Sequence, residues 1–490
     1  MNSAKPYPII GLEVHIQLNT KSKAFCRCEN RYGGNPNTRV CPVCLGMPGA
    51  MPVLNIELLK SGILAGLAFS SDITLLTKFD RKNYAYPDLT KGYQISQYDK
   101  PLCVGGKVKF KDENNNEKFV GITRIHMEED AGKLIHLEDG TGNSYVDYNR
   151  CGAPLLEIVS EPDLRNSDDA VRYLNALKEI FIYLGISDCN MEEGSIRCDA
   201  NISMMIPTDS GSEVNTPITE IKNMNSFKNV KKAIEYEIIR QVDQYSKEGI
   251  TNNGKNKITR GWDDVNEITL FQRTKEGESD YRYFPEPDLP YFTVTDDMIN
   301  EAKTRLIELP LERRERMLKQ YSITEYDVFG LTGSIETADF FEEVAKYTKN
   351  YKKAANMILT EINAIIKQKE TTIAGLSINP QHLGHLADLT GEGILSSWLA
   401  KQVLEKMVAT GIAPDVIIKE DNLVVSDNVD ELSGIVEAIL KENPKSITDY
   451  NNGKDNALKF LMGQVMKMSK GKANPVKATE LILEKIKAQL

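Results

Sequence analysis

The 490-residue chain has no apolar run near its start that could cross a bilayer: Gly62 to Phe69 is the longest there, and a spanning helix needs about 20 apolar residues. Met1 to Ile10 carries no basic segment followed by an apolar one, so neither secretion nor membrane insertion is expected, and a cytoplasmic location follows. Glycine-rich phosphate loops are missing as well: neither G-x-x-x-x-G-K-[ST] nor G-x-G-x-x-G occurs. Gly471-Lys472 has the end of such a loop, but alanine follows it and the upstream glycine is absent at the required spacing. A nucleotide, if bound, would have to be held by strand-borne cations and metal-coordinated phosphates. No serine-rich amidase signature and no cysteine nucleophile paired with a base stands out, and there is no internal repeat or low-complexity segment. Excess positive charge is lacking too. The net charge of −10 argues against a general nucleic-acid binder. Residues 454–490 depart from that average, with eight lysines against three acids, a net of +5. Such a run serves equally as a solvated helical surface or as a contact for an RNA backbone.

What is present is ordinary globular material, 41% hydrophobic and 27% charged, in a chain long enough for two to four domains. Ile10, Leu12, Val14, Ile16 and Leu18 alternate with Gly11, Glu13, His15 and Gln17, which predicts a half-buried strand. Further strands are expected at 107–110, 120–126, 155–159 and 200–206, and helices at 53–69, 170–184 and 230–247. Ser167, backed by Asp168 and Asp169, is a candidate cap for the second helix, and Ser226 for the third. Asn and Gly between 249 and 261 suggest an exposed loop. Beyond Pro290 only helical periodicity remains. It is broken before Pro310, Pro380, Pro414, Pro444 and Pro475, because a residue preceding proline avoids the helical region. Residues 414–426, with Ile417, Ile418, Val424 and Val425, read as a loop between two helical bundles. The expected architecture is α+β: a catalytic part over 1–295, a helical connector over 296–412 and an all-helical tail over 413–490.

Four of the eight cysteines sit together as Cys26-x-Cys28 and Cys41-x-x-Cys44. That spacing puts four thiolates on two tight turns and suits a closed, structural Zn²⁺ site, although four free thiols would give the same pattern. In small zinc peptides such ligation contributes roughly 10–16 kcal/mol, enough to fix a loop with little core of its own. The scattered Cys103, Cys151, Cys189 and Cys198 do not suggest a disulfide scaffold.

On the first strand, period-2 alternation places Glu13, His15 and Gln17 on one face, where a carboxylate beside an imidazole forms half of a metal site. The segment His126-Met127-Glu128-Glu129-Asp130 sets three carboxylates in a row, a natural partner for a divalent cation because adjacent like charges repel. Glu157 lies within the apolar stretch 154–159, where a charge is costly unless paired or metal-bound. Arginines stand among acids at Arg197, in 191–201, and at Arg282, in 280–288, with Arg124 just ahead of the acidic triple. Hard oxygen ligands with one imidazole favour Mg²⁺ or Mn²⁺ over zinc, and the arginines favour a phosphate substrate, which makes Arg124, Arg197 and Arg282 the candidates to hold ATP. Residues 78–97 mix cations, tyrosines and amides, decoration that fits a polar surface loop, a polar conduit or a substrate grip.

In IGLEVHIQL (10–18), CPVCLGMPGAMPVLN (41–55), KFDRKNYAYPD (78–88), YQISQ (93–97), GITRIHMEEDAGK (121–133), LLEIVSEPD (155–163), MEEGSIRCDANIS (191–203), EIKNMNSF (220–227), DYRYFPEPDLP (280–290) and KFLMGQVMKMSKGKANP (459–475) the sequence resembles the B subunits of tRNA-dependent aspartyl/glutamyl amidotransferases, over essentially its whole length. The resemblance implies a glutamine-synthetase-like antiparallel-sheet catalytic domain and a three-subunit ligase. In it a glutaminase A subunit releases ammonia, a small C subunit braces the assembly, and the B subunit phosphorylates, then amidates, the side chain of Glu or Asp mischarged on tRNA-Gln or tRNA-Asn. By position it implies Glu13, His15, Glu129 and Glu157 as the Mg²⁺ set, and Lys82, Lys91 and Glu129 at the mouth of an ammonia conduit. Two other readings use the same residues: a metal-dependent phosphatase or nuclease, and a non-catalytic tRNA-binding zinc protein.

Overall fold

A computed structural model describes residues 5–136, 142–208, 211–274, 281–423, 429–451, 454–469 and 471–488. The chain forms two compact units, 1–311 and 312–490. In the first, the strands that build the site are β1 (Tyr7–Gln17), β2 (Asp80–Asn83), β3 (Tyr93–Ser96), β4 (Glu117–Glu129), β5 (Pro154–Ser160), β6 (Ile196–Pro207), β7 (Thr219–Lys222), β8 (Ile258–Asp263) and β9 (Ile268–Thr274). An eleven-stranded sheet runs β9-β8-β7-β6-β1-β5-β4, with short strands completing the β4 side and a hairpin partner for β6. Strands β2 and β3 pair in a separate three-stranded sheet with Phe284–Pro285. The large sheet is mixed rather than wholly antiparallel, since β7 and β8 run parallel.

β1 is central because its sequence alternates as a two-faced strand must. Ile10, Leu12, Val14 and Ile16 are buried, while Glu13, His15 and Gln17 are half-buried on the other face. The apolar set joins Leu58, Leu59 and Ile63 of helix α1 (Ile56–Ala68), Tyr173, Leu174 and Leu177 of α2 (Ser167–Tyr183), and Val230, Ala233 and Ile234 of α3 (Phe227–Glu248) in one core. Helices thus cover one face of the sheet and leave β1's polar face for chemistry.

Helix α2 starts earlier than expected. Asn166 is its cap, accepting from the Asp169 amide, while the Ser167 hydroxyl donates to Glu235 at 2.8 Å. Ser226 caps α3 as anticipated. The loop expected to reach residue 261 ends at 257. Ile258, Thr259 and Trp262 are good strand formers, and Gly261 sits in β8 because a Cβ there would collide with the Gln272 side chain.

Pro310, near the end of the first unit, and Pro380, Pro414, Pro444 and Pro475 of the second each occupy the first residue of a helix. There the missing N–H costs nothing and the fixed φ already suits the helix. The same reason overturns the loop expected from 414 on. Pro414–Glu420 is helical, and Ile417 with Leu423 belongs to a core spanning 317–423. Val424 and Val425 lie outside the described residues. A second core runs from Leu432 to Ile486.

A capping box fixes the helix Glu325–Leu331: Thr324 and Asp327 bond each other's backbone amides, and Lys352 Nζ lies 2.6 Å from Asp327. Burial would raise the Asp327 pKa, but the Lys352 and Thr324 hydrogen bonds outweigh it and hold the carboxyl below the ordinary aspartate range. A depressed carboxyl contributes stability that is present above its unfolded pKa, about 3.9, and lost as the pH falls through the folded value. Asp327→Ala is expected to cost about 1–2 kcal/mol at pH 7. The deficit should shrink below about pH 4, as read from urea melts of the full chain at both pH values.

Candidate functional site

Residues directly opposite one another in an antiparallel ladder share a face. His15 of β1 stands opposite Glu157 of β5 on one side and Arg197 of β6 on the other, and Glu157 stands opposite His126 of β4. One row across four strands therefore reads His126, Glu157, His15, Arg197. Two residues along β4, Glu128 joins it. His15 Nε2 lies 3.3 Å from Glu157 and 3.5 Å from Glu128, and His126 Nε2 lies 3.1 Å from Glu157 and 3.7 Å from Glu128. Ser96 of β3 adds a hydroxyl, 3.2 Å from Glu128.

Both carboxylates are buried, which alone would push their pKa values up, yet His126 and His15 hold both below the ordinary range. The imidazoles respond in kind. Burial opposes their charge, but Glu157 and Glu128 raise His15 and push His126 up to about 9. Lys82 is held up by the same two carboxylates against burial, and its Nζ lies 5.1 Å from the Tyr281 ring.

Donor atoms of His15, Glu128 and Glu157 all fall within 4.8 Å of one another, as do those of Glu13, Asp199 and Glu220 in the neighbouring row. Glu13 stands opposite Asp199 and accepts from Asn201 at 2.8 Å. Lys222 pairs with Asp199 and lies 3.6 Å from Glu220. Carboxylate oxygens with a single imidazole are the donor set a hard divalent cation such as Mg²⁺ takes.

The structure does not bring Glu129 into this group. One residue beyond Glu128, it points to the opposite strand face, where it pairs with Lys91 and its carboxylate accepts from the Ile95 amide at 2.9 Å. The Gln94 side chain bonds the Glu129 carbonyl at 2.6 Å. Arg124 shares the face of His126 and Glu128 on β4. Arg197 is held by Asp130 at 2.9 Å and lines two cavities, of about 390 and 760 Å³, the smaller of which also contains His15, Lys82 and Glu128. Arg282 is exposed, and its carbonyl accepts from Asn83 at 2.8 Å. Asp280, part of the same motif, lies outside the described residues. Sequence reasoning did not single out Asp199, Glu220 and Lys222, and it named His126 and Glu128 only as members of the segment 126–130. Period-2 alternation along 126–129, the rule that selected Glu13 and His15, would have picked His126 and Glu128.

Cys26, Cys28, Cys41 and Cys44 are free thiols whose sulfurs all lie within 4.8 Å of one another. The Cys41–Cys44 separation is 3.9 Å, close to the ~3.8 Å edge of a tetrahedron built on Zn–S bonds of about 2.3 Å. The hydrogen bond from Cys26, with help from Lys23 at 3.8 Å, pulls Cys44 down to about 5. Cys26 is pushed up in exchange, and burial pushes Cys28 up to about 11. A set of four convergent sulfurs, one already favouring thiolate, fits zinc.

The buried Lys91–Glu129 pair generates a test. Lys91→Met leaves a buried carboxylate without its cation and is expected to cost about 3–5 kcal/mol, whereas Lys91→Met with Glu129→Gln should recover most of that loss. A double-mutant cycle by urea denaturation measures both; equal losses in the single and double variants would contradict the pairing.

Residues 8–300 match the family described as GatB/GatE catalytic domain, and residues 339–486 the family described as GatB domain. The chain is 48% identical over 479 residues, 98% of each sequence, to the B subunit of the aspartyl/glutamyl-tRNA(Asn/Gln) amidotransferase of Borreliella burgdorferi (strain ZS7). The B subunits of the same enzyme from Borrelia turicatae (strain 91E135) and Borrelia hermsii (strain HS1 / DAH) are 46% and 45% identical over 480 residues, covering 98% of this chain and 99% of each relative.

Proposed function

Because the chain belongs to the GatB family of aspartyl/glutamyl-tRNA amidotransferase B subunits, we propose that it is the subunit of a glutamine-dependent ligase that activates with ATP, and then amidates, the side-chain carboxylate of Glu or Asp mischarged on tRNA-Gln or tRNA-Asn. The observation that carries this reading is the row of His126, Glu157, His15 and Arg197 beside Glu128, on a sheet that has no glycine-rich phosphate loop. Neither a phosphatase nor a non-catalytic zinc protein is favoured by any feature of that row. A catalytic face of this kind supports the glutamine-synthetase-like description of the domain.

The chemical problem is that a carboxylate resists ammonia: it is an anion, and oxide is a poor leaving group. Transfer of the γ-phosphoryl group from ATP makes an acyl phosphate whose phosphate can leave. His15, Glu128 and Glu157, with Glu13 in the next row, would hold Mg²⁺, which when bound neutralises charge on the transferring phosphoryl group. Glu128 thus takes the place that position in the family had given Glu129. In this reading Arg197 and Arg124 would meet phosphate oxygens bidentately, with Arg282 at the margin. Lys82 faces the two carboxylates and Lys91 pairs with Glu129. In this reading Glu129, beside Lys91, accepts the proton that ammonium gives up, and neutral ammonia then attacks the acyl carbon on the face where Lys82 stands. Ammonia comes from the A subunit of a heterotrimer completed by C.

The cysteine knuckle carries structural Zn²⁺ in this reading, residues 296–412 connect, and the tail from 413, basic only over 454–490, contacts the tRNA backbone. A translation enzyme of this kind works in the cytoplasm; among the described residues no helix is long and apolar enough to cross a membrane.

In the assembled complex with Mg-ATP, Glu-tRNA and ammonium, amide formation should require ATP; product without ATP would overturn the proposal. Glu128→Gln and Glu157→Gln are expected to lower the amidation rate by about 10²–10³-fold while leaving tRNA affinity within twofold. Ending the chain at residue 423 spares Ile417 and Leu423 in the preceding core. That truncation should weaken tRNA binding and flatten its salt dependence, and an unchanged affinity across a salt series would refute the role of the tail.

A further inference from the structure

The second turn of the knuckle lies directly against the Lys91–Glu129 pair. The carbonyl of Cys44 accepts from two groups outside the knuckle, Thr90 Oγ1 at 2.8 Å and Cys151 Sγ at 3.2 Å. Thr90 and Cys151 are themselves 3.5 Å apart. Thr90 immediately precedes Lys91. Cys151 precedes Gly152, where a Cβ would come within 3.5 Å of Cys44 Cβ and 3.9 Å of the Glu129 carboxylate. Gly46, at φ +66°, has no side chain because a Cβ would lie 2.5 Å from Lys91 Cγ. The fully buried Lys23 fastens the turn from behind, donating to the Arg39 carbonyl at 2.8 Å and contacting Cys44 Sγ.

We propose that Thr90 and Cys151 are positioning residues that fix the Lys91–Glu129 pair to the Cys44 turn, so that an intact knuckle sets the geometry in which ammonia is handled. The inference rests on the reading of that pair as the ammonia site. A lysine has a long, flexible stem, and its ammonium is placed only where the stem is confined. Here the backbone of Gly46 confines the Lys91 stem on one side, and the Thr90 bond fixes the residue immediately before Lys91. Glu129 is fixed separately, by the Ile95 amide and by the close approach of Gly152. Neither Thr90 nor Cys151 is among the residues lining the cavity around His15 and Glu128, so their loss should leave the ATP half of the reaction alone.

The test uses the three-subunit complex with ammonium as donor in place of glutamine, and the variants Thr90→Val, Cys151→Ala and Thr90→Ser. Removing one neutral hydrogen bond should raise KM for ammonium about three- to tenfold, with KM for ATP and the zinc content unchanged, and Thr90→Ser should restore the wild-type value. A KM for ammonium that stays put in both Thr90→Val and Cys151→Ala, while Lys91→Met shifts it, would overturn the inference. So would a parallel rise in both KM values, which marks a merely structural role. If Lys91→Met itself leaves KM for ammonium unchanged, the ammonia reading of the pair fails, and the positioning role is decided by hydrogen exchange. Stripping metal with a chelator should speed amide exchange across residues 89–95, and unchanged protection there rejects the link between knuckle and pair.

Discussion

Two carboxylates, Glu128 and Glu157, are buried within one hydrogen-bonding shell on the face of a sheet, and the rest of the site follows from that constraint. Two anions so placed repel, and each has lost water. The fold answers with positive groups drawn from every neighbouring strand: His15 from β1, His126 from β4, Lys82 from β2. The same pair of anions favours the charged form of each of the three. Arg197 and Asp130 close the next layer. The arrangement is a stack of counter-charges around a core of negative charge, the environment in which a divalent cation displaces protons rather than arriving at a neutral surface.

How far this was legible in the sequence depends on the range of the interaction that decides each feature. β1 was legible because alternation is local, and its apolar and polar sets fell on the faces the pattern assigned. The five proline-led helices were legible for the same reason, although proline opens each helix rather than merely closing the one before it. Pro414–Glu420, with Ile417 and Ile418, was read as a loop because proline breaks the helical periodicity just ahead of it. Their helical state comes from packing into the core that also contains Leu423, which no window of sequence contains.

The acidic triple at 128–130 shows the limit more sharply. Composition alone cannot say which of three adjacent carboxylates faces His15, since neighbours on a strand point to opposite sides. Glu128 faces His15 and Glu129 faces Lys91. The second acidic row, Glu13 with Asp199 and Glu220, was illegible because it depends on the register of β6 and β7 against β1. The cysteine knuckle was legible by spacing, but its contact with Thr90 and Cys151 was not, since those residues meet it only in the folded chain.

The row that defines the site takes its members from positions 15, 126, 157 and 197, one from each of four strands. No contiguous peptide contains more than a fragment of it. During synthesis, some 180 residues must follow His15 out of the ribosome before its partner across β6 exists. Until the strands pair, Glu128 and Glu157 are not held beside His15 and His126. A segment that ends before β5 lacks Glu157 and cannot assemble the cluster of His15, Glu128 and Glu157. The assembled cluster reports that β1, β4 and β5 have paired, so gathering these groups and joining those strands are a single event in the life of the chain.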